Sequence, residues 1–377
     1  MNKIVWKDYK ICLKIITPVI INNGAQFEPG ELHSQNGKVY YLNLMKIFED
    51  MDKGKVKEYI DSLASSWNTR NNSYFDNNDY SPAQKIISNF LTLKGKDIND
   101  YIFSEINILP SCKELFLKKP NQEINQVYFN KIKGEPYIPG SSIKGAIRTA
   151  ILEKMRQQLE EEGIQLSPEK QSYKYKKTPD FETEIYSKGK FNHHSVKDDP
   201  FKFLKISDFH LKSSKLNLDK VDINSSDIPF FSTMTDAECF SENEVVAKGT
   251  ISISSDIVNS PLREFSNLDS IFKACNEFFV NNFNKKKNRP QVWIDFEKRK
   301  IIISKLRSVL EDSSSNTKFL IRIGHFSGIE NITYNVLQNP EINWKIKNKK
   351  VNFECSNARS LVEGFPLGYC ALYKEED

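Results

Sequence analysis

The sequence predicts an α+β protein, and three observations carry that expectation. Stretches with strand-like alternation are interleaved with stretches of helical spacing. The strand pieces are too few and too interrupted for a long parallel sheet, and no strand is followed by G-x-G-x-x-G, which weighs against a doubly wound fold. A length of 377 residues exceeds what one hydrophobic core usually serves, so two domains, or one domain with large insertions, are expected. The 39% hydrophobic and 12% aromatic content is that of a folded chain. A mean hydropathy of -0.53, with many Asn, Lys and Ser residues, adds long polar loops.

Taken in order, residues 9–21 alternate and then run apolar with β-branched residues, which predicts a first strand ending near Pro18. Asn22-Asn23-Gly24 reads as a loop, and Val39–Leu42 as a short strand. From Leu44 to about Ile108 helical spacing dominates (Val56, Tyr59, Ile60, Leu63, then Ile86, Ile87, Phe90, Leu91), interrupted by the Asn-rich Asn68–Asp79. A strand near Glu123–Lys133 leads to a helix that runs through Leu152, Met155 and Leu159 and ends at Gly163, a C-cap residue. Residues 164–200 turn polar, with Tyr173–Lys177 and His193-His194, and predict an inserted arm or mobile loop. Strands follow at Phe203–Phe209 and Val245–Ile253, a helix at Leu268–Asn282, a mixed helical stretch to Leu310, and strands at Phe319–Ile323 and Val351–Cys355.

The first twenty residues carry Lys3, Lys7, Asp8, Lys10 and Lys14, which break any signal-peptide apolar region. No apolar run reaches the roughly 18 to 20 residues that span a membrane. Cys12, Cys112, Cys239, Cys275, Cys355 and Cys370 lie far apart with no C-x-x-C pair, so neither a zinc ribbon nor a redox motif is expected, and no metal or other cofactor is predicted. A reduced, cytoplasmic protein fits. The net charge of +5 permits nucleic-acid binding without demanding it, and the lysine runs Lys174–Lys177 and Lys285–Lys287 read more simply as solvated faces than as nucleic-acid contacts.

The segment Ile138-Pro139-Gly140-Ser141-Ser142-Ile143-Lys144-Gly145-Ala146-Ile147-Arg148 concentrates the chemistry. Pro139 fixes its own φ and pushes Ile138 out of the helical region. Gly140 then allows a sharp turn before Ser141 or Ser142 caps a helix. Down that helix Ile143, Ala146, Ile147, Ala150 and Ile151 form an apolar stripe, while Lys144 and Arg148 stand four residues apart on another face. Free N–H groups, two hydroxyls and two cations make an anion site suited to phosphate. Gly145 costs about 1 kcal/mol relative to Ala inside a helix, which makes sense if something must approach the backbone closely. On physical grounds a capped amphipathic helix with solvated cations accounts for the pattern equally well.

That eleven-residue string resembles the motif of the repeat-associated mysterious proteins (RAMPs), RNA-binding backbone subunits of type III CRISPR complexes. Three other places agree in order: Leu13–Val19 with the following Gly24, Leu204–Asp208, and Arg322–Gly328. The Thr-Pro start and the late Gly-His-Phe-Ser-Gly run are most similar to the end-cap members found in type III-A (Csm) complexes.

The resemblance implies a tandem of ferredoxin-like (RRM-related) domains with helical and loop insertions. The expected division is residues 1–240, carrying insertions at about 45–110 and 164–200, and residues 241–377. It further implies one copy per complex on the 3′ portion of the crRNA, in contact with the neighbouring backbone RAMP and small helical subunits of the Csm complex, and with target RNA through crRNA pairing. Carried over, Gly140, Ser141, Ser142, Lys144, Gly145 and Arg148 face crRNA phosphates, Asn22, Asn23 and Gly24 form a second contact loop, and Arg322, Gly324, His325 and Gly328 a third. Tyr137 and Phe326 are candidates for base stacking or for the core. Five cations on phosphate would give a salt slope of about -3 to -4.

Enzymatic activity is not expected. Some RAMP relatives cleave RNA with His or Lys, or with an Asp in the loop after the first strand, and the loop here, residues 21–29, offers only Glu28. None of His33, His193, His194, His210 and His325 has a carboxylate and nucleophile at a recognisable spacing. The alternatives are a metal-independent endoribonuclease acting through His193, His194 or His325, and a type III-B paralogue.

Overall fold

The computed structural model describes residues 4–35, 38–69, 81–93, 97–108, 124–164, 182, 185–186, 199–211, 216–223, 226–234, 246–287, 300, 304, 306, 309, 317–324, 344–346, 349–351, 360–362 and 365–375. In chain order the first elements are β1 (Trp6–Ile15), β2 (Asn22–Gln26), β3 (Leu32–Gln35), β4 (Lys38–Leu42), α1 (Leu44–Asp50), α2 (Lys53–Thr69), α3 (Pro82–Leu91), β5 (Ile102–Ile108), β6 (Asn125–Val127), β7 (Phe129–Asn130) and β8 (Glu135–Ile138). There follow α4 (Gly140–Glu161), β9 (Leu204–Ile206), β10 (Phe209–Leu211), β11 (Leu216–Ile223), β12 (Ser226–Met234), β13 (Val246–Ser254) and α5 (Leu268–Lys287). The chain closes with β14 (Lys318–Arg322), β15 (Trp344–Ile346), β16 (Lys349–Val351), β17 (Ser360–Val362), β18 (Phe365–Pro366) and β19 (Tyr369–Lys374).

These elements form two compact units, and neither is continuous in sequence. The first comprises residues 1–19, 138–211 and 244–377. Its antiparallel sheet runs β14-β19-β1-β13, and β9 and β10 pair side by side along the outer edge of β13. With α4 ahead of β9 and α5 ahead of β14, the chain order is β-α-β-β-α-β. Consecutive residues Ile11, Cys12 and Leu13 are all buried, because the second half of β1 is covered on both faces. Helices α4 and α5 pack on each other and bury Ile143, Ile147, Ile151, Phe272 and Phe279.

Closure of this sheet depends on the Thr-Pro segment. The N–H groups of Ile16 and Thr17 donate to Tyr369 O at 3.0 and 3.1 Å. The buried Thr17 hydroxyl accepts from Tyr369 N–H at 2.9 Å, and Gly368 N–H donates to Pro18 O at 2.8 Å. Gly368 holds φ 89°, and a Cβ there would stand 2.2 Å from Ile323 O. Gly368→Ala is therefore expected to destabilise the protein by on the order of 2 to 3 kcal/mol, read as a lower urea midpoint; an unchanged midpoint would contradict the close approach.

The expected division at residue 240 is thereby corrected. Strand β1, from the start of the chain, pairs with β13 and β19, so segments on both sides of that position share one sheet.

The second unit comprises residues 20–137 and 212–243. Its sheet follows the order β2-β6-β12-β11-β5-β4-β3, parallel at β5–β11 and β6–β12 and antiparallel elsewhere. Helices α1 to α3 bury Ile47, Tyr59, Ile87 and Phe90 against Leu42 and Tyr101. Ser81 and Gln84 start α3 with a reciprocal capping box. The helical reading to Ile108 is corrected at its end, since Ile102–Ile108 is strand β5. Of the Asn-rich stretch, residues 70–79 lie outside the described residues.

Candidate nucleic-acid interface

Helix α4 is the expected helix of the motif, and its apolar stripe is buried, from Ile143 and Ile147 at 0% exposure to Ala146 at 8%. Its C-terminus is a Schellman motif: Gly163, at φ 76°, donates to Glu160 O at 2.9 Å, and Ile164 donates to Leu159 O at 2.8 Å.

The N-terminus differs from expectation. The N-cap is Pro139, no side chain caps the helix, and the first N–H, of Gly140, donates to Asp208 Oδ1 at 2.9 Å. An internal carboxylate thus takes part of the anion seat that the sequence offered to phosphate. Gly140 is fixed by packing: a Cβ would stand 2.2 Å from Ile206 O and 2.6 Å from Ser207 O. Gly140 thus has a packing role of its own, apart from any contact with RNA.

Arg148 is held by internal ion pairs. Its Nη1 donates to Asp199 Oδ1 and Oδ2 at 3.0 and 2.8 Å, and its Nε to Glu182 Oε1 and Oε2 at 3.1 and 3.0 Å. Nη2 also donates to Glu182 Oε2, and the guanidinium lies 4.6 Å from the Phe201 ring centroid. Two carboxylates already neutralise this cation, so it supplies no free charge to a phosphate. The expected arm at 164–200 is also partly core: Glu182, Ile185 and Tyr186 are helical and buried. Their i, i+3, i+4 spacing is a helical signal of only three positions, hidden by the polar composition around it. His193 and His194 lie outside the described residues.

What remains open on the motif helix is one exposed face. Ser141 and Gly145 are exposed, Ser142 and Lys144 half-buried, and a Cβ at Gly145 would meet nothing within 4 Å. Lys144 makes no ion pair among the described residues. Burial pushes its pKa below the ordinary lysine value, helped by the Arg148 charge and opposed by Asp199.

The other expected contacts separate. Arg322 is 4% exposed; its Nε donates to Leu367 O at 2.8 Å, and its guanidinium lies 4.5 Å from the Tyr369 ring centroid. It is a core residue at the end of β14, and β19, β1 and β13 lie between that strand and the β9–β10 edge that holds Gly140. Four strand spacings make that roughly 19 Å, so Arg322 and the motif do not share a site. Gly324 holds φ 91°, while His325, Phe326 and Gly328 lie outside the described residues.

Asn22, Asn23 and Gly24 belong to the second unit, in the irregular edge strand β2 rather than a loop. Asn22 Oδ1 accepts from Gly24 N–H at 2.7 Å and Asn23 Oδ1 from Ala25 N–H at 2.8 Å, and these paired turns leave Asn23 and Gly24 exposed. Tyr137 packs edge-on against Tyr128 with centroids 5.4 Å apart. Among the described residues no group of His, Cys, Asp or Glu could hold a metal ion, and no helix is long and apolar enough to cross a membrane.

The RAMP superfamily model matches residues 12–344, and the chain belongs to that superfamily. Among curated relatives, a Methanocaldococcus jannaschii protein described as "CRISPR system Cms protein Csm5" is 26% identical over 346 residues, 85% of this chain and 71% of the relative. A Streptococcus thermophilus protein of the same description is 26% identical over 156 residues, 39% of this chain and 38% of the relative. A chain of a cryo-EM structure of a Csm–crRNA–target RNA ternary complex of a type III-A system superposes with a TM-score of 0.63 at 19% identity, covering 98% of this chain and 100% of that one. The crystal structure of T. onnurineus Csm5 superposes with a TM-score of 0.55 at 17% identity, covering 95% and 99%. These two likenesses establish the mixed helix and sheet fold.

Proposed function

We propose that this chain is a non-catalytic crRNA-binding subunit of a type III-A CRISPR interference complex in the cytoplasm. In this reading it caps the backbone at the crRNA 3′ end, beside a backbone RAMP and small helical subunits, and supports crRNA maturation and complex assembly in antiviral defence. Two relatives described as Csm5 and a structural neighbour from a Csm–crRNA–target RNA complex support it. So does the β-α-β-β-α-β order of the first unit, which fits one ferredoxin-like domain.

The observation that carries the proposal is the open face at Ser141, Lys144 and Gly145. In a helix whose other motif residues are each held by an internal contact, Gly145 has no internal reason to lack a side chain. A sugar-phosphate backbone lying on that face would supply the reason. The test is affinity purification with sequencing of the co-eluting RNA, for the wild type and Gly145→Leu. We expect short RNAs sharing a repeat-derived 5′ tag with the wild type, and at least tenfold less of them with Gly145→Leu. The variant should be no less stable, since Leu favours a helix over Gly by about 0.8 kcal/mol. Random RNA, or equal yields from both proteins, would defeat the reading. Specific cleavage of repeat RNA in EDTA by the purified protein would replace it with the endoribonuclease alternative.

A further inference from the structure

Strand β1 outruns its neighbour on one side. Along β13 it is paired from Trp6 to Lys14. Along β19 it is paired only from Ile11 to Ile15, with one further bond from Glu375 N–H to Lys10 O at 3.0 Å. Trp6 and Asp8 lie beyond that point. In an antiparallel sheet alternate residues turn their N–H and C=O groups to alternate neighbours. Val5 O accepts from Ser255 N–H at 2.8 Å on the β13 side, whereas Lys10 O faces β19, so the even-numbered residues face the β19 side. The donors and acceptors of Trp6 and Asp8 therefore point to an edge that no described strand occupies.

That edge is rigid. Strands β13 and β9 back it from the other side, and Ser255 Oγ accepts from Val5 N–H at 3.2 Å, which fixes the backbone in extended form from its first residue. Ile4 and Val5 are 54% and 59% exposed, and Lys7, Asp8 and Lys10 are exposed as well. One face of the edge carries Trp6, with Lys205 Nζ 4.0 Å from its ring centroid. The other carries Tyr9, with Lys7 Nζ 5.2 Å from its ring centroid. Lys7, Lys10 and Lys205 make no ion pair among the described residues, and Asp8 is the one acidic residue of the strand.

An unpaired edge invites a further strand, and exposed lysines guard such edges against unwanted ones. What the lysines admit depends on charge. A second copy of this strand is disfavoured, because the antiparallel registers that pair both Trp6 and Asp8 set Lys7 against Lys7 or Asp8 against Asp8. An extended segment that alternates carboxylates with aliphatic residues meets no such repulsion: its carboxylates face Lys10 and Lys205, and its aliphatic side chains lie beside Val5 and Tyr9. RNA offers no row of amides to match two donor and acceptor pairs set roughly 7 Å apart along a strand. The open backbone selects a polypeptide, and the lysines select an acidic one.

We propose that the edge of β1 at Trp6 and Asp8 is a docking site at which an acidic, extended segment of a partner protein adds as a further strand of the sheet. The site goes beyond RNA binding and does not depend on it. The experiment uses the full-length protein and a fluorescent peptide of about ten alternating valine and glutamate residues. Two control peptides carry the same label: one is N-methylated at every amide, and one has lysine in place of glutamate. We expect the first peptide to bind by anisotropy and the controls to bind at least about tenfold more weakly. Hydrogen exchange at the N–H groups of Trp6 and Asp8 should slow by about tenfold or more with the first peptide alone. Asp8→Pro removes an outward N–H on an edge strand, so it should abolish binding while the melting temperature stays unchanged; Asp8→Asn, which keeps that N–H, should bind at least as tightly as the wild type. Absence of binding, or equal binding by the methylated peptide or by Asp8→Pro, overturns the site. Slow exchange at Trp6 and Asp8 in the free protein also overturns it, assigning the edge to a second copy if the slowing grows with protein concentration and to this chain itself if it does not. Slowing by guide-length RNA but not by the peptide overturns it and makes the edge a nucleic-acid contact.

Discussion

Gly140→Ala is expected to lower stability by on the order of 3 kcal/mol or more, whereas Gly145→Ala, five residues along the same helix, raises it by up to about 1 kcal/mol. Both substitutions add one methyl group. At Gly140 that methyl meets the carbonyl oxygens of Ile206 and Ser207 at 2.2 and 2.6 Å. Those atoms belong to a backbone that cannot swing aside as a flexible side chain can. To make room, α4 must retreat from the β9–β10 turn, breaking the Gly140–Asp208 hydrogen bond and opening the layer beneath Ile143 and Ile147. At Gly145 the methyl enters empty space and the helix gains backbone order. Urea unfolding of the two variants separates the cases, and a Gly140→Ala protein as stable as the wild type would refute the packing argument. For RNA the ranking reverses in meaning: Gly140→Ala loses binding with the fold, Gly145→Ala with the fold intact.

Arg148→Ala is expected to cost about 3 kcal/mol. Removing one partner of a buried ionic cluster leaves the others uncompensated; here two carboxylates, one of them nearly buried, lose the cation between them. The side chain of Arg148 retains 23% exposure, which holds the effect to the lower part of the range for buried pairs. Arg148→Lys should recover little, because one ammonium cannot fork between Glu182 and Asp199 and lie flat on Phe201. The same geometry predicts what does not change. Since the Arg148 charge is already neutralised, its loss leaves the salt slope of RNA binding unaltered, measured at a temperature where the variant is folded. Lys144→Ala instead reduces the slope by about 0.7. An unchanged unfolding midpoint for Arg148→Ala, or a slope that falls with it, would return Arg148 to the phosphate contacts.

Local pattern made much of α4 legible. Its start after Pro139, the buried stripe from Ile143 to Ile151 and the stop at Gly163 all follow from spacing within a few residues, and local spacing is what a single sequence displays. The partners of its polar residues were not legible. Glu182, Asp199 and Asp208 lie 34, 51 and 68 residues from the groups they hold, and nothing in the local pattern around them names those partners. Lys144 and Arg148 therefore look equivalent in sequence and differ in the fold. Strand pairing is hidden for the same reason, since nothing near β1 says that its neighbours are Val246–Ser254 and Tyr369–Lys374. Strands β11 and β12 went unread for a lesser cause. The alternation Leu216-Asn217-Leu218-Asp219 is a period-two signal, present but short amid polar residues.

The central place of β1 sets a timetable for synthesis. Lys14 pairs with Val246 and Ile15 with Cys370, so β1 leaves the ribosome long before either neighbour exists. At about 5 to 20 residues per second the wait for β13 alone is roughly 12 to 45 s. Throughout it a strand with two open edges and an apolar stretch at Ile11–Leu13 is exposed to whatever else in the cell can pair with it. Production of the protein should therefore respond to chaperone supply and translation speed more than its finished stability suggests.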